Sequence, residues 1–191
     1  MILEEENEEQ VIKINIIIGD LNKIIDKLFT LDYGFYDIVK RKKIAKENPL
    51  FFDSEYINKN CRLSSPNLLL RRKIGCCFDF TLFIFNYIKA KYPFLNTKIL
   101  FFQKYKPIEF HTTVAFSDKK NWYWVEGSYL KFKGIHIFNH ISNLGNFLIN
   151  EGFNNWNIVD DRIAKSLLSY SKTNSMTIPY FIYHVSNGKA S

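Results

Sequence analysis

Residues 75–80 read Gly-Cys-Cys-Phe-Asp-Phe, and they open a helical segment that continues to about Tyr92. Pro93 ends that segment, and its apolar side chains are Leu82, Phe83, Phe85 and Ile88. Gly75 suits a sharp turn and gives a substrate room to approach the backbone. Cys77 therefore falls at a predicted helix N-terminus, where free amide N–H groups and the helix dipole favour a thiolate.

After this helix the pattern becomes extended. Three segments predict strands, at residues 98–103, 111–116 and 121–126. Residues 117–120 predict the turn between the second and third strands. If those two strands pair, His111 and Glu126 lie near the same end of the sheet. One ring nitrogen of His111 would then bond Glu126 while the other faces the Cys77 thiol.

The remaining chain predicts an α+β protein, with helices first and an antiparallel meander after them. Residues 1–10 are expected to form a solvated acidic tail, and residues 11–191 a single domain. A strand at 12–18 and a helix from Asp20 to Leu31, ended by Gly34, are predicted before a long connection at 44–64. Further predicted elements are a helix from Ser65, a strand at 134–138, a helix at 142–150 and a strand at 178–185.

The segments 75–79, 111–114 and 122–126 together resemble the transglutaminase-like superfamily, particularly its bacterial and phage members. Gly134-Ile135-His136 is similar to the segment that follows the acidic strand in those proteins. The resemblance covers residues 65–150, the predicted core of the domain. It implies a papain-like core, in which a cysteine-bearing helix packs on an antiparallel sheet.

Members of this superfamily cleave amide bonds, deamidate, exchange amines onto glutamine or have lost activity. Carried onto this chain, the resemblance makes Cys77 the nucleophile, His111 the base and Glu126 the orienting acid. The third residue is commonly Asp in the superfamily, and the extra methylene of Glu126 shifts the expected geometry. An oxyanion hole needs a donor besides the Cys77 amide. Gln103 is our candidate, and Asn67 stays open as an alternative.

Other residues offer competing interpretations. Cys76 competes with Cys77, but adjacent side chains face different directions, so at most one is the nucleophile. Asp79 is interpreted as a favourable charge at the helix start. The remaining alternatives are less favoured: His136, His140 and His184 as imidazoles, Asp118 as an acid at the far sheet end, and Cys61 as a bystander thiol. The spacing of His136 and His140 is a weak metal signal without an acidic or thiol partner, so neither metal nor cofactor is predicted.

Composition narrows the functional classes. The formal charge is +7, but the basic residues are scattered and the longest basic run is only 40–43, so a nucleic-acid footprint is unlikely. Three cysteines, two of them adjacent, make a poor disulfide framework and favour reduced thiols in the cytoplasm. The acidic N-terminal stretch is the opposite of a cationic signal peptide. No apolar run is long enough to span a bilayer, so no membrane association is predicted.

The sequence therefore predicts a cysteine hydrolase or acyltransferase that performs amide hydrolysis, deamidation or transamidation on a protein or peptide. A catalytically inactive transglutaminase-like binding module is the alternative, and a nucleic-acid-binding protein ranks last. The oligomeric state stays open.

Overall fold

The computed structural model describes residues 2–173 and 176–188, excepting the side chains of residues 2–10 and 171. The described part is a mixed α+β fold, which confirms the predicted class. Its helices are α1 (Ile2–Leu28), α2 (Ser54–Asn60), α3 (Pro66–Arg72), α4 (Cys77–Lys91), α5 (Ile141–Asn150), α6 (Asp161–Ser171) and α7 (Ile178–Asn187). Its strands are β1 (Asp32–Asp37), β2 (Lys42–Ala45), β3 (Ile74–Gly75), β4 (Asn96–Tyr105), β5 (Ile108–Ser117), β6 (Trp122–Glu126), β7 (Gly134–Phe138) and β8 (Asn155–Ile158).

The larger sheet is antiparallel and follows the order β7-β6-β5-β4-β8. The predicted meander of three strands is confirmed, and each strand begins within three residues of its predicted start. Strand β6 pairs with β5 from Ser117 to Val114, so residues 108–113 keep β4 as their strand partner. The edge of β5 beyond Val114 is consequently available to another part of the chain.

Alternating side chains of this sheet enter two apolar layers, as the two-residue period of a strand requires. One face packs against α4 and α1, and its buried residues include Phe101, Val114, Phe116, Tyr123 and Val125. The opposite face packs against α5, and its buried residues include Leu100, Phe102, Ala115, Trp124 and Leu144. The sheet is therefore covered on both sides.

A smaller sheet of order β2-β1-β3 lies at the start of the cysteine helix. Strand β1 runs antiparallel to β2 and parallel to the two-residue strand β3. The parallel register places Tyr33 opposite Gly75, immediately before the two cysteines. The sequence did not predict this sheet.

The predicted strand at 12–18 is wrong, because these residues belong to the long helix α1. The buried side chains of α1 recur every three or four residues and form one stripe: Ile14, Ile17, Leu21, Ile25 and Leu28. This packing outweighs the β preference of isoleucine. Gly34 does not end the helix but lies within β1, where an added Cβ would stand 2.2 Å from the carbonyl oxygen of Ile44.

The late strand predicted at 178–185 is also wrong, because this segment is helix α7. The Thr177 hydroxyl accepts a hydrogen bond from the Tyr180 N–H, Pro179 lies in the first turn, and the buried residues Ile178, Phe181 and Val185 follow a helical spacing. The predicted connection at 44–64 contains the end of β2, a short 3₁₀ turn (Pro49–Phe52) and α2. The carboxylate of Asp53 caps α2 by accepting from the Tyr56 N–H at 2.9 Å.

The backbone of α1 begins at Ile2, but the solvent exposure predicted for residues 1–10 lies outside the described side chains. Within residues 2–173 and 176–188, no helix combines the length and the apolar character needed to cross a membrane.

Candidate active site

Helix α4 begins at Cys77, as the sequence predicted. The Asp79 carboxylate accepts the N–H of Cys76 at 3.0 Å and the N–H of Ser64 at 2.5 Å. These bonds fix the turn before the helix and tie it to the segment that precedes α3. At Gly75 an added Cβ would stand 2.4 Å from Leu69 Cδ1, so a larger residue would force that buried side chain to move. The predicted role of Asp79 at the helix start is therefore specific hydrogen bonding as well as charge.

The surroundings of Cys76 favour its neutral thiol form. Its Sγ lies 3.3 Å from Asp79 Oδ2, and burial together with the neighbouring Cys77 and Asp79 raises the pKa of the Cys76 thiol. Burial also raises the pKa of Asp79 to about 6, against the hydrogen bonds that it accepts. A thiol kept protonated is a poor nucleophile, so Cys77 is the better candidate of the pair.

Cys77 lies against the open edge of β5. Its Sγ is 3.8 Å from the carbonyl oxygen of Phe110, and the N–H of Thr112 also interacts with the sulfur. Phe110 and Thr112 flank His111 in the strand. The end of β6 at Glu126 thus leaves space for the start of α4 beside the histidine.

The structure also brings together the other two predicted residues. His111 Nε2 lies 2.8 Å from Glu126 Oε2, and both side chains are buried. The second carboxylate oxygen, Oε1, accepts the Ser128 N–H at 2.8 Å, the Ser128 hydroxyl at 2.9 Å and the Tyr129 N–H at 2.8 Å. Glu126 therefore reaches the imidazole despite its extra methylene, and three donors hold it in place.

The imidazole of His111 also interacts with the Cys77 thiol. Because Nε2 is engaged by Glu126, Nδ1 is the ring nitrogen that remains for the sulfur. Rings of Phe102, Tyr129 and Phe153 surround the imidazole at centroid separations of 6.4, 6.0 and 6.0 Å. These aromatic neighbours lower the local polarity, which strengthens electrostatic interactions within the site.

The electrostatics of the three residues favour an ion pair. Burial opposes the Cys77 thiolate, but Cys76, the His111 imidazole and the Thr112 N–H together hold the pKa of Cys77 well below its usual range. Burial likewise opposes the imidazolium, but the Glu126 carboxylate and the Cys77 thiolate raise the pKa of His111 to about 10. Burial raises the pKa of Glu126, and His111 and the N–H donors more than compensate, so the net shift is downward. The expected state at neutral pH is thiolate, imidazolium and carboxylate.

Tyr33 belongs to this site although the sequence analysis did not find it. Its hydroxyl interacts with both the backbone N–H and the side chain of Cys77. Its position depends on the parallel pairing of β1 with β3, which joins segments about forty residues apart in the sequence. Such a pairing leaves no local pattern from which the residue could be identified.

The other sequence candidates lie in different surroundings. Gln103 is on β4, opposite Phe110, and within the described residues no hydrogen bond connects its side chain to Cys77 or His111. Asp118 accepts the hydroxyl of Tyr123 at 2.9 Å in the turn at the far sheet end, as expected. His136 Nε2 bonds the carbonyl oxygen of Phe132 at 2.7 Å.

The remaining sequence candidates are not part of the Cys77–His111–Glu126 cluster. His184 packs against the ring of Tyr180 in α7, at a centroid separation of 4.2 Å and a tilt of 50°. Burial raises the pKa of the Cys61 thiol to about 12, which agrees with a bystander role. Within the described residues, no three His, Cys, Asp or Glu side chains lie close enough together to hold a metal ion.

The site is closed. Cys77 is 3 % exposed and His111 7 % exposed. Two surface cavities lie elsewhere, one between α6 and α7 and the other between α1 and the turn after β5. A substrate therefore reaches the sulfur only when side chains around it move.

No protein-family model matches the chain, and no curated protein matches it.

Proposed function

We propose that this protein is a cysteine-dependent acyl-transfer enzyme of a transglutaminase-like, papain-like kind. The observation that carries the proposal is the hydrogen bond of 2.8 Å between His111 and Glu126, on a histidine that also interacts with the helix-start thiol of Cys77. Nucleophile, base and orienting acid thus occur in one connected arrangement. The helix packed against an antiparallel sheet supports the same assignment.

In the proposed reaction, the Cys77 thiolate attacks the carbonyl carbon of an amide and forms a C–S bond. The His111 imidazolium then gives its proton to the departing amine as the C–N bond breaks. Neutral His111 next takes a proton from water or from a second amine, which attacks the thioester and releases Cys77. Glu126 holds the imidazole orientation and stabilises its charged form throughout.

A protein or peptide amide is the proposed substrate, and hydrolysis, deamidation and transamidation share this chemistry up to the thioester. None of these steps requires an organic cofactor. The three cysteines are free thiols, which supports action in a reducing compartment, and we propose the cytoplasm.

Thiol labelling tests the nucleophile. Iodoacetamide at neutral pH should label Cys77 faster than an unfolded-chain control, because the thiolate is already formed whenever motion of the surrounding side chains admits the reagent. Cys77→Ala should lose this fast phase and His111→Ala should slow it, whereas Cys61→Ala is the matched control and should leave it unchanged. Peptide mapping locates the label.

The burial of Cys77 also favours the second candidate, a binding module without turnover. Labelling of Cys77 in the folded protein no faster than in the unfolded control would favour that candidate. A fast-labelling thiol that accepts no acyl group from an activated ester would also favour it. Acylation of Cys77 with release of the product on adding water or an amine would support the enzyme.

A further inference from the structure

The Tyr33 hydroxyl lies beside Cys77 and has no role in the reaction proposed above for Cys77, His111 and Glu126. We propose that Tyr33 is a further catalytic residue, and that its hydroxyl donates a hydrogen bond to the acyl oxygen of the tetrahedral intermediate formed on Cys77. This inference rests on the proposed acyl-transfer function and completes its oxyanion hole.

Backbone pairing fixes where Tyr33 lies. The parallel register of β1 and β3 puts Tyr33 opposite Gly75, two residues before Cys77. The Asp32 N–H bonds the carbonyl oxygen of Lys73 at 3.1 Å and extends this pairing. The position of Tyr33 is therefore set by the same turn that presents the nucleophile.

Two aromatic neighbours pack against the tyrosine ring. The ring of Phe80, one turn into α4, stands edge-on to it at a centroid separation of 6.4 Å and an angle of 70°. The ring of Phe51 lies at a centroid separation of 6.1 Å and is tilted by 50°. A side chain held in this way loses little freedom when its hydroxyl is used, as a preorganised donor requires.

The hydroxyl faces two groups that define an oxyanion position. It interacts with the N–H of Cys77 and with the sulfur of the same residue. Because α4 begins at Cys77, this N–H precedes the first intrahelical bonds and points out of the helix end. An acyl carbon bonded to Sγ brings its oxygen close to this N–H, and therefore close to the Tyr33 hydroxyl.

Tyr33 is kept as a proton donor. Burial and the neighbouring Cys77 and Cys76 thiols raise the pKa of Tyr33 well above its usual range. The neutral phenol therefore persists at the pH where Cys77 is a thiolate. A neutral O–H group can donate to a developing oxyanion, whereas a tyrosinate would repel it.

Gln103, the donor considered from sequence, lies less favourably. In the sheet order, β5 separates β4 from the edge that Cys77 contacts. The backbone carbonyl oxygen of Gln103 accepts from the Asn154 N–H at 2.8 Å, and among the described residues its side-chain amide forms no hydrogen bond to Cys77 or His111. Tyr33 instead touches the nucleophile directly.

Two reactions of the same thiol separate an oxyanion donor from a structural residue. With p-nitrophenyl acetate, the Cys77 thiolate attacks the carbonyl carbon, passes through an oxyanion, and forms S-acetyl-Cys77 as p-nitrophenolate leaves. With iodoacetamide, the thiolate displaces iodide at a saturated carbon, and no oxyanion forms. Both rates are measured on the full chain at one pH, by p-nitrophenolate absorbance and by mass spectrometry.

Tyr33→Phe should slow acetylation by on the order of 100-fold, because one preorganised donor is lost. Its alkylation rate should stay within about twofold of the unaltered protein, since the phenyl ring still packs against Phe80 and Phe51. Tyr123→Phe is the matched control, because it removes a tyrosine hydroxyl that bonds Asp118 at the opposite sheet end. It should change neither rate.

Three results would overturn the inference. Equal acetylation by Tyr33→Phe and the unaltered protein would show that the hydroxyl is not used. Faster acetylation and alkylation together would show that Tyr33 only covers the thiol. Slow acetylation in Gln103→Ala, with normal acetylation in Tyr33→Phe, would assign the donor to Gln103. Failure of the proposed function has a different signature, namely an unaltered protein that is alkylated rapidly but never acetylated.

Discussion

His111 Nε2 and Glu126 Oε2 lie 2.8 Å apart inside a buried site, and the other carboxylate oxygen is occupied by donors from Ser128 and Tyr129. These donors and His111 lower the pKa of Glu126, which favours the carboxylate, and the same imidazole also interacts with the Cys77 thiol. The acidity of Cys77 is therefore expected to depend on a residue in another strand.

Glu126→Gln should raise the pKa of Cys77. The amide keeps an acceptor for the imidazole, but it removes the negative charge that favours imidazolium, and a less stable imidazolium supports the thiolate less well. The midpoint of the alkylation rate against pH should move upward by about one pH unit, equivalent to about tenfold in rate below the midpoint.

Glu126→Asp is the matched variant, because it keeps the charge and shortens the reach. Its midpoint should lie between those of the unaltered protein and Glu126→Gln. A midpoint that does not respond to Glu126→Gln would mean that the carboxylate does not influence the thiol.

The protonation of His111 should be visible directly. Glu126 and Cys77 raise the pKa of His111 to about 10, so the imidazolium should persist through neutral pH and lose its proton only as the pH rises toward that value. Nitrogen-15 NMR titration of the ring, assigned with His111→Ala, measures this. An imidazole of His111 that titrates near its ordinary pKa of about 6.5 would contradict the ion pair.

The proximity of Cys77, His111 and Glu126 could be predicted because each residue has a local signal. Gly75 before the cysteines, Pro93 after the helix and the polar turn at 117–120 define the elements that carry Cys77, His111 and Glu126. Once β5 and β6 pair through that turn, the proximity of His111 and Glu126 follows from strand geometry. The contact between His111 and Glu126 could therefore be predicted from residues 111–126 alone.

Tyr33 and the elements around it could not be predicted in the same way. The pairing of β1 with the two-residue strand β3 is non-local, and its short partner has no strand period to detect. In α1, a run of β-branched residues imitates a strand, and only burial along one stripe reveals the helix. For α7 the signals were present in Thr177 and Pro179, but the apolar content of the segment suggested a strand.

The Asp79 carboxylate should be important for stability. Asp79→Ala removes the acceptor of the Cys76 and Ser64 N–H groups in a buried turn, and each unsatisfied donor costs about 1–3 kcal/mol. The free energy of unfolding, measured by urea denaturation, should therefore fall by about 2–5 kcal/mol, the two penalties being only partly additive.

Asp118→Ala is the comparison for Asp79→Ala. Asp118 also accepts backbone N–H groups, from Lys120 and Asn121, but in a turn that water reaches. Its loss should cost less than the loss of Asp79, because water replaces the missing acceptor. Equal losses would show that the turn before α4 tolerates unsatisfied donors.

Two adjacent threonines of β5 should respond oppositely to the same substitution. The Thr113 hydroxyl donates to the carbonyl oxygen of Val125 at 2.8 Å and accepts the indole N–H of Trp124 at 2.9 Å. Thr113→Val leaves that buried N–H without its acceptor, and should lower the free energy of unfolding by about 1–3 kcal/mol.

The hydroxyl of Thr112 is buried without a hydrogen-bond partner. Thr112→Val replaces this unsatisfied group with a methyl of similar size in a strand that favours valine, so stability should stay constant or rise by up to about 1 kcal/mol. The Thr112 N–H beside Cys77 is retained, so the alkylation midpoint of Cys77 should not move. Urea denaturation of both variants measures the contrast. A loss of stability in Thr112→Val as large as in Thr113→Val would show that the Thr112 hydroxyl has a partner in solution.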